Sequence, residues 1–84
     1  NTRTITIGVP VEIFVDYSTA EIEQLLITRF NKFIEGSYKL PENDGNKKVN
    51  VTLRLNNDII DLIKENVKLY NLSIIVFTYL LLRG

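Results

Sequence analysis

Polar and apolar residues alternate without a break in Lys48-Val49-Asn50-Val51-Thr52-Leu53-Arg54-Leu55. A period of two is typical of a β-strand that buries one face and exposes the other. The alternation therefore predicts an amphipathic strand over residues 48–55. Its exposed face would carry the side chains of Lys48, Asn50, Thr52 and Arg54.

Two helices are predicted after this strand. Residues 56–58 offer helix-capping side chains, and apolar residues then recur at three- and four-residue spacing. This apolar stripe consists of Ile59, Leu62, Ile63, Val67 and Tyr70. Asn71 tolerates left-handed backbone geometry and Ser73 can cap a second helix. Because residues 74–82 are apolar on nearly every side, we expect that helix to be covered all round.

The first half of the chain also shows a strand followed by a helix. Residues 2–9 alternate, with threonines on one face and isoleucine or valine on the other. Ser18 and Glu21 have the spacing of a capping box, and Gly36 can end the helix that they begin. Residues 11–17 alternate like a strand, whereas the preceding Pro10 favours a helical turn, and both alternatives stay open.

The similarity of the two halves suggests a degenerate internal repeat. An offset of 46 residues places Thr4 on Asn50 and Thr6 on Thr52, while a different offset places Ser18 on Ser73. Chance similarity between two short strands is the alternative explanation.

The only strong cluster of Gly, Pro, Asn and Asp lies within residues 35–46. We therefore expect one compact domain made of an N-terminal strand-helix segment (1–36), a connector (37–46) and a C-terminal unit (47–84).

The chain has 84 residues, of which 45% are hydrophobic and 24% are charged, so it has the composition of an ordinary globular domain. A domain this short leaves much of its surface exposed, and a partner subunit often supplies the missing burial. We therefore expect a homodimer.

Composition also excludes several kinds of function. Ten Lys and Arg balance ten Asp and Glu, so any binding to nucleic acid must come from local charge placement. The absence of Cys and His removes thiolate nucleophiles, the commonest general base and the commonest metal ligand. Acidic residues such as Asp58 and Asp61 suit the dipole of a helix start better than a catalytic pair. We expect no enzyme, metal site, cofactor or small-molecule substrate.

The sequence also bears on location. Residues 1–5 lack the apolar core of a signal peptide, and no apolar stretch is long enough to span a bilayer. We therefore expect a cytoplasmic protein without a membrane partner.

The strand, the capped helix, the Asn-Leu-Ser turn and the second helix over residues 47–84 resemble the ribbon-helix-helix family of transcriptional regulators. The resemblance implies an α+β, mainly helical fold in which two antiparallel strands enter the DNA major groove. It assigns Asn50, Thr52 and Arg54 to base contacts and Ser73 to a phosphate. The usual glycine of the interhelical turn is Asn71 here, and the usually polar residues 74–76 are apolar.

Two assemblies are compatible with this resemblance. If the first half is a second copy, the chain is a tandem pseudodimer in which residues 2–9 pair with residues 48–55. Thr4 and Thr6 would then face DNA as well, with Gly8 at the position of Arg54. The other assembly is a homodimer with an N-terminal extension.

The expected function is sequence-specific binding of double-stranded DNA, most simply by a transcriptional repressor. Roles in plasmid partition or conjugation stay open. We expect Arg54 to read guanine and Lys48, at the start of the strand, to hold a phosphate.

The alternative function is a protein-interaction or inhibitor module that does not bind nucleic acid. Zero net charge supports this alternative. Neutralisation of the basic face by Asp16, Glu42 or Asp44 would support it further. Tyr70 and Tyr79 fall on apolar helical positions and are expected in the core, which leaves Tyr38 free to stack on bases.

Overall fold

A computed structural model describes all 84 residues and contains two strands and four helices. The elements are β1 (Thr2–Pro10), α1 (Val11–Asp16), α2 (Thr19–Glu35), β2 (Lys48–Asn56), α3 (Asn57–Leu69) and α4 (Ile74–Arg83). The expected α+β class with a helical majority is therefore confirmed. Residues 11–16 are helical, which settles the alternative left open for that segment.

The sheet is an antiparallel pair of strands, β1 and β2, which we call the ribbon. The pairing runs from Thr2 opposite Asn56 to Pro10 opposite Lys48, with Thr6 opposite Thr52 at its centre. The central residues are 46 positions apart, the same offset that superposes the two strand sequences. A single chain therefore supplies both strands of the ribbon.

The helices begin and end where local side chains can satisfy the free backbone groups. Ser18 and Glu21 form the predicted capping box of α2, and Gly36 ends that helix with a left-handed φ of 84°. The Asn56 side chain caps α3, and the Ser73 side chain caps α4. These predicted caps are confirmed.

One hydrophobic core joins the two halves of the chain. The ribbon turns its apolar face toward the helices, and α2, α3 and α4 each contribute buried residues. The core consists of Ile5, Ile7, Val9, Ile22, Leu26, Phe30, Leu53, Leu55, Ile60, Ile63, Phe77, Leu81 and Leu82. Because neither half supplies all of it, each half depends on the other for burial.

Helix α4 is the most deeply buried element. Every residue from Phe77 to Leu82 is buried, as its apolar sequence predicts. Thr78 is fully enclosed, but its hydroxyl accepts a hydrogen bond from the Gly8 N–H (2.9 Å) and donates one to the Ile74 carbonyl (2.7 Å). This pairing removes the penalty for a buried hydroxyl. No helix, α4 included, is long and apolar enough to cross a membrane.

The predicted buried stripe of α3 is wrong at two positions. Leu62 is 46% exposed and Tyr70 is 53% exposed, whereas Ile60 and Ile63 are buried. The apolar residues of α3 cover more than one face, so spacing alone did not determine which side meets the core. Contact with the ribbon and α4 selects the side that carries Ile60 and Ile63.

Substituting Leu80 by Asp is expected to unfold the protein, because Leu80 is only 3% exposed and its new carboxylate would have no partner. A buried, unpaired charge costs about 3–5 kcal/mol. Urea denaturation followed by circular dichroism measures this loss.

The matched control is Leu69→Asp, since Leu69 is 79% exposed. That variant should unfold close to the wild-type urea midpoint. If Leu80→Asp also kept the wild-type midpoint, α4 would not form the core described above.

Candidate nucleic-acid interface

The face of the ribbon that points away from the core carries a row of polar side chains. Alternation along each strand places isoleucine and leucine inward and these residues outward, and all of them are exposed. The row consists of Thr2, Thr4 and Thr6 from β1 and Asn50, Thr52 and Arg54 from β2. The fold thus brings five of the site residues predicted from sequence to one surface that carries no acidic side chain.

Antiparallel pairing sets the layout of this row. Thr4 lies opposite Arg54, and the hydroxyls of Thr6 and Thr52 are 3.0 Å apart at the centre. The Arg54 Nη1 donates a hydrogen bond to the Thr2 Oγ1 at 3.0 Å. This bond holds the guanidinium over the ribbon and leaves the rest of its donor fork free.

Thr2 is a positioning residue that the sequence interpretation did not assign to the site. The alternation of residues 2–9 already places it on the outward face, but its role depends on the pairing of β1 with β2. Only that pairing brings Thr2 within reach of Arg54, which lies 52 positions away in the sequence.

The opposite end of the ribbon is closed by α4. Gly8, which lies opposite Asn50, is buried. A Cβ atom on Gly8 would collide with the Ile75 carbonyl oxygen and lie 2.8 Å from the Ile75 Cγ2. No side chain fits at this position, and the close approach of the strand covers part of the apolar first turn of α4.

Lys48 is placed differently from the other predicted residues. Its Nζ donates to the Asn46 carbonyl at 3.0 Å and lies 4.4 Å from the centroid of the Tyr79 ring. The side chain is half-buried at the end of the ribbon and is not part of the outward row. The ammonium already has a carbonyl and an aromatic face as neighbours.

An acidic residue of the connector sits beside Lys48. The Asp44 carboxylate accepts hydrogen bonds from the Tyr79 hydroxyl at 2.9 Å and from the Asn46 N–H at 2.8 Å. It also pairs with the Arg83 Nε at 2.7 Å. Asp44 therefore neutralises positive charge at the Lys48 end of the ribbon. No acidic side chain lies on the outward face at the Arg54 end.

These contacts shift two pKa values. The backbone N–H of Asn46 has the largest effect in lowering the pKa of Asp44, and the Tyr79 hydroxyl and the charges of Arg83 and Lys48 lower it further. Burial, and then the hydrogen bond to Asp44, raise the pKa of Tyr79. The folded state thus favours an ionised Asp44 beside a neutral Tyr79.

Ser73 lies at the start of α4, near the closed end of the ribbon. Its hydroxyl oxygen accepts a hydrogen bond from the Val76 N–H at 3.1 Å, and the residue is exposed. The Ser73 hydroxyl is therefore on the surface, two residues before Ile75, which contacts Gly8. A helix start of this kind favours an anion.

Tyr70 and Tyr38 do not follow the sequence expectation. Tyr79 is buried as expected, whereas Tyr70 is exposed. Tyr38 donates its hydroxyl proton to the Leu80 carbonyl at 2.8 Å, and the Arg29 guanidinium lies 5.3 Å from its ring. Tyr38 thus ties the connector to the last turn of α4, and its position does not suit it to stacking on a base.

A second surface is apolar and lies on α1. Val11, Phe14 and Val15 share one face of this short helix, and they are 43%, 49% and 72% exposed. At the 46-residue offset the counterpart of Phe14 is Ile60, which is buried. At this position the first half of the chain therefore exposes an apolar side chain where the second half buries one.

Comparison of the chain with protein-family models, with curated proteins and with solved structures finds no match. The structure also brings together no group of three acidic side chains that could hold a metal ion.

The lowered pKa of Asp44 predicts a pH-dependent contribution to stability. An unfolded aspartate has a pKa of about 3.9. Because the folded value lies below this, the stabilisation is present above about pH 4 and disappears as the pH falls through the folded pKa. Substitution of Asp44 by Asn should therefore lower the urea midpoint more at pH 6–7 than at pH 3, because the stabilisation declines once the pH is below the pKa of the unfolded aspartate.

Asp16→Asn is the control for this experiment, since Asp16 is exposed at the end of α1. Urea midpoints of both variants and the wild type at pH 7, 5 and 3 provide the comparison. A loss for Asp44→Asn that is the same at every pH would contradict a role for its charge.

Proposed function

We propose that this protein binds double-stranded DNA by inserting the outward face of the ribbon into the major groove. The proposal is supported by the outward row on the two-stranded ribbon. Its side chains are exposed, can form hydrogen bonds and include no acidic residue. The major groove is about 12 Å wide and admits such a ribbon. The most direct role is that of a cytoplasmic transcriptional repressor that covers its operator.

The side chains of the row suit the chemistry of base edges. The Arg54 fork matches the O6 and N7 atoms of guanine, and the Asn50 amide matches the N6 and N7 atoms of adenine. Thr4, Thr6 and Thr52 can donate or accept a hydrogen bond or contact a thymine methyl group. Ser73 and the first amides of α4 supply a phosphate contact that would fix the position of the protein on the duplex.

The ribbon-helix-helix arrangement, in tandem within one chain, is the finer fold assignment that we propose. Each strand is followed directly by a helix, since α1 begins after Pro10 and α3 begins after Asn56. Each second helix, α2 or α4, is capped by a serine. The first copy is the degenerate one, because α1 has 6 residues and α3 has 13.

A mobility-shift experiment with random duplexes at low salt tests the DNA-binding proposal. Phosphate contacts give every protein of this kind some non-specific affinity, so a weak shift that disappears with added salt is expected. Complete absence of a shift at low salt, with the fold intact by circular dichroism, would reject the proposal.

Arg54 and Lys48 are expected to contribute differently to binding. Substitution of Arg54 by Ala should cost about 1–3 kcal/mol on the preferred site and relax its sequence preference. Substitution of Lys48 by Ala should weaken all duplexes alike and lower the salt slope by less than about one unit, because Asp44 already offsets part of the Lys48 charge. Titrations of a selected site and a random duplex at several salt concentrations measure both effects.

Lys64→Ala removes the same charge from an exposed position on α3 and serves as the control. It should leave the ratio of specific to random binding unchanged. Equal losses on both duplexes for Arg54→Ala would show that Arg54 does not read a base.

A second candidate function is a protein-interaction or inhibitor module, favoured by the exposed apolar face of α1 and by Asp44 beside Lys48. The mobility shift separates the two functions. Under the interaction hypothesis no duplex binds at low salt, and Arg54→Ala does not change the affinity for the partner protein.

A further inference from the structure

We infer that one chain fills one DNA site and reads a non-palindromic sequence in a single orientation. This inference rests on the proposed DNA binding and specifies its ligand. The Arg54 end of the ribbon would meet a guanine, and Asn50 at the opposite end, where α4 covers Gly8, would meet a different base pair.

The ribbon is complete within one chain. β1 and β2 pair along nine residues each, and their apolar faces share one core with helices from both halves. In a ribbon built by two identical chains, every outward side chain would occur twice about a two-fold axis. Here the pairing is centred on Thr6 and Thr52, and no second copy is needed to finish it.

The two ends of this ribbon differ in chemistry. About the Thr6–Thr52 centre, the position equivalent to Arg54 is Gly8, and the position equivalent to Asn50 is Thr4. The only charge on the outward face is therefore at one end, where Thr2 holds the guanidinium. At the other end the nearest cation, Lys48, is bound to the Asn46 carbonyl beside Asp44.

Packing against α4 maintains this difference. A side chain at Gly8 would collide with the backbone of Ile75, so the fold cannot place a second arginine there. The Gly8 N–H also holds Thr78 inside the core at 2.9 Å, which keeps α4 against this end of β1. The asymmetry is thus a property of the architecture, because restoring the symmetric residue would displace α4.

A palindromic site would offer two guanines to a ribbon that has one arginine. A bidentate contact with guanine gives about a 5- to 150-fold preference over the wrong base, equivalent to about 1–3 kcal/mol. One orientation of a non-palindromic site should therefore be preferred by a factor of this size over the reverse orientation.

Selection from random duplexes, followed by native mass spectrometry of the complex, provides the first test. The expected result is a non-palindromic consensus bound by one chain. A palindromic consensus bound by two chains would overturn the inference and leave the DNA-binding proposal intact. Failure of every duplex to bind at low salt would instead overturn the proposed function.

Directed cleavage of the selected duplex tests the orientation. The chain has no cysteine, so Asn1→Cys and Lys47→Cys each provide a single attachment point for an iron chelate. Both positions are exposed. Asn1 lies at the Arg54 end of the ribbon, and Lys47 lies at the opposite end, beside Lys48. Each variant should cut one flank of the site, and the two should cut opposite flanks, whereas equal cutting of both flanks by either variant would overturn the inference.

The double substitution Asn50→Arg with Arg54→Asn moves the cation to the other end without changing composition. Both positions are exposed, so the fold should be retained, as circular dichroism would verify. The selected guanine should move from the flank cut through Asn1→Cys to the flank cut through Lys47→Cys. An unchanged consensus and orientation would show that the position of the arginine does not set the direction of reading.

Discussion

The pairing of β1 with β2 about Thr6 and Thr52 is the constraint on which the rest of the structure depends. Side chains alternate along a strand, so a slip of one residue in either strand would exchange its buried and exposed faces. In the observed register both apolar faces point to the core and both polar faces form one row. α1 and α3 begin at opposite ends of the ribbon, so the register also determines where the helices start.

Helix α4 packs against this ribbon and completes the hydrophobic core of the domain. It lies against Gly8 of β1 through Ile75 and Thr78, and it contributes three residues to the shared core. Its C-terminal half is held by the connector, where Tyr38 donates to the Leu80 carbonyl, and by α2, where Arg29 donates to the Leu81 carbonyl. These bonds satisfy carbonyls that a helix end leaves free. The same packing that completes the core makes one end of the ribbon unlike the other.

The electrostatics of the chain are local, since its net charge is zero. Acidic residues lie on the helices and in the connector, and the outward face of the ribbon has none. Asp44 is the acid that matters most for the proposed function, because it lowers the positive potential at the Lys48 end. Affinity for a phosphate backbone would then depend on a few exposed cations, and discrimination between bases on Arg54 and Asn50.

The sequence by itself determined the elements whose signals lie within a few residues. The alternation of residues 48–55 predicted the strand and its outward row, and Ser18 and Ser73 marked the starts of two helices. The same alternation placed Lys48 on the exposed face, but its contacts with Tyr79 and Asn46 set it apart from that row.

Tertiary structure alone decided which residues meet across the chain. The bond from Arg54 to Thr2 spans 52 positions, and that from Gly8 to Thr78 spans 70. It also selected the buried side of α3, leaving Leu62 and Tyr70 exposed, and set α1 as a helix. The physical reason is that alternation and capping are interactions between near neighbours, whereas the covering of each face depends on segments brought together only by folding.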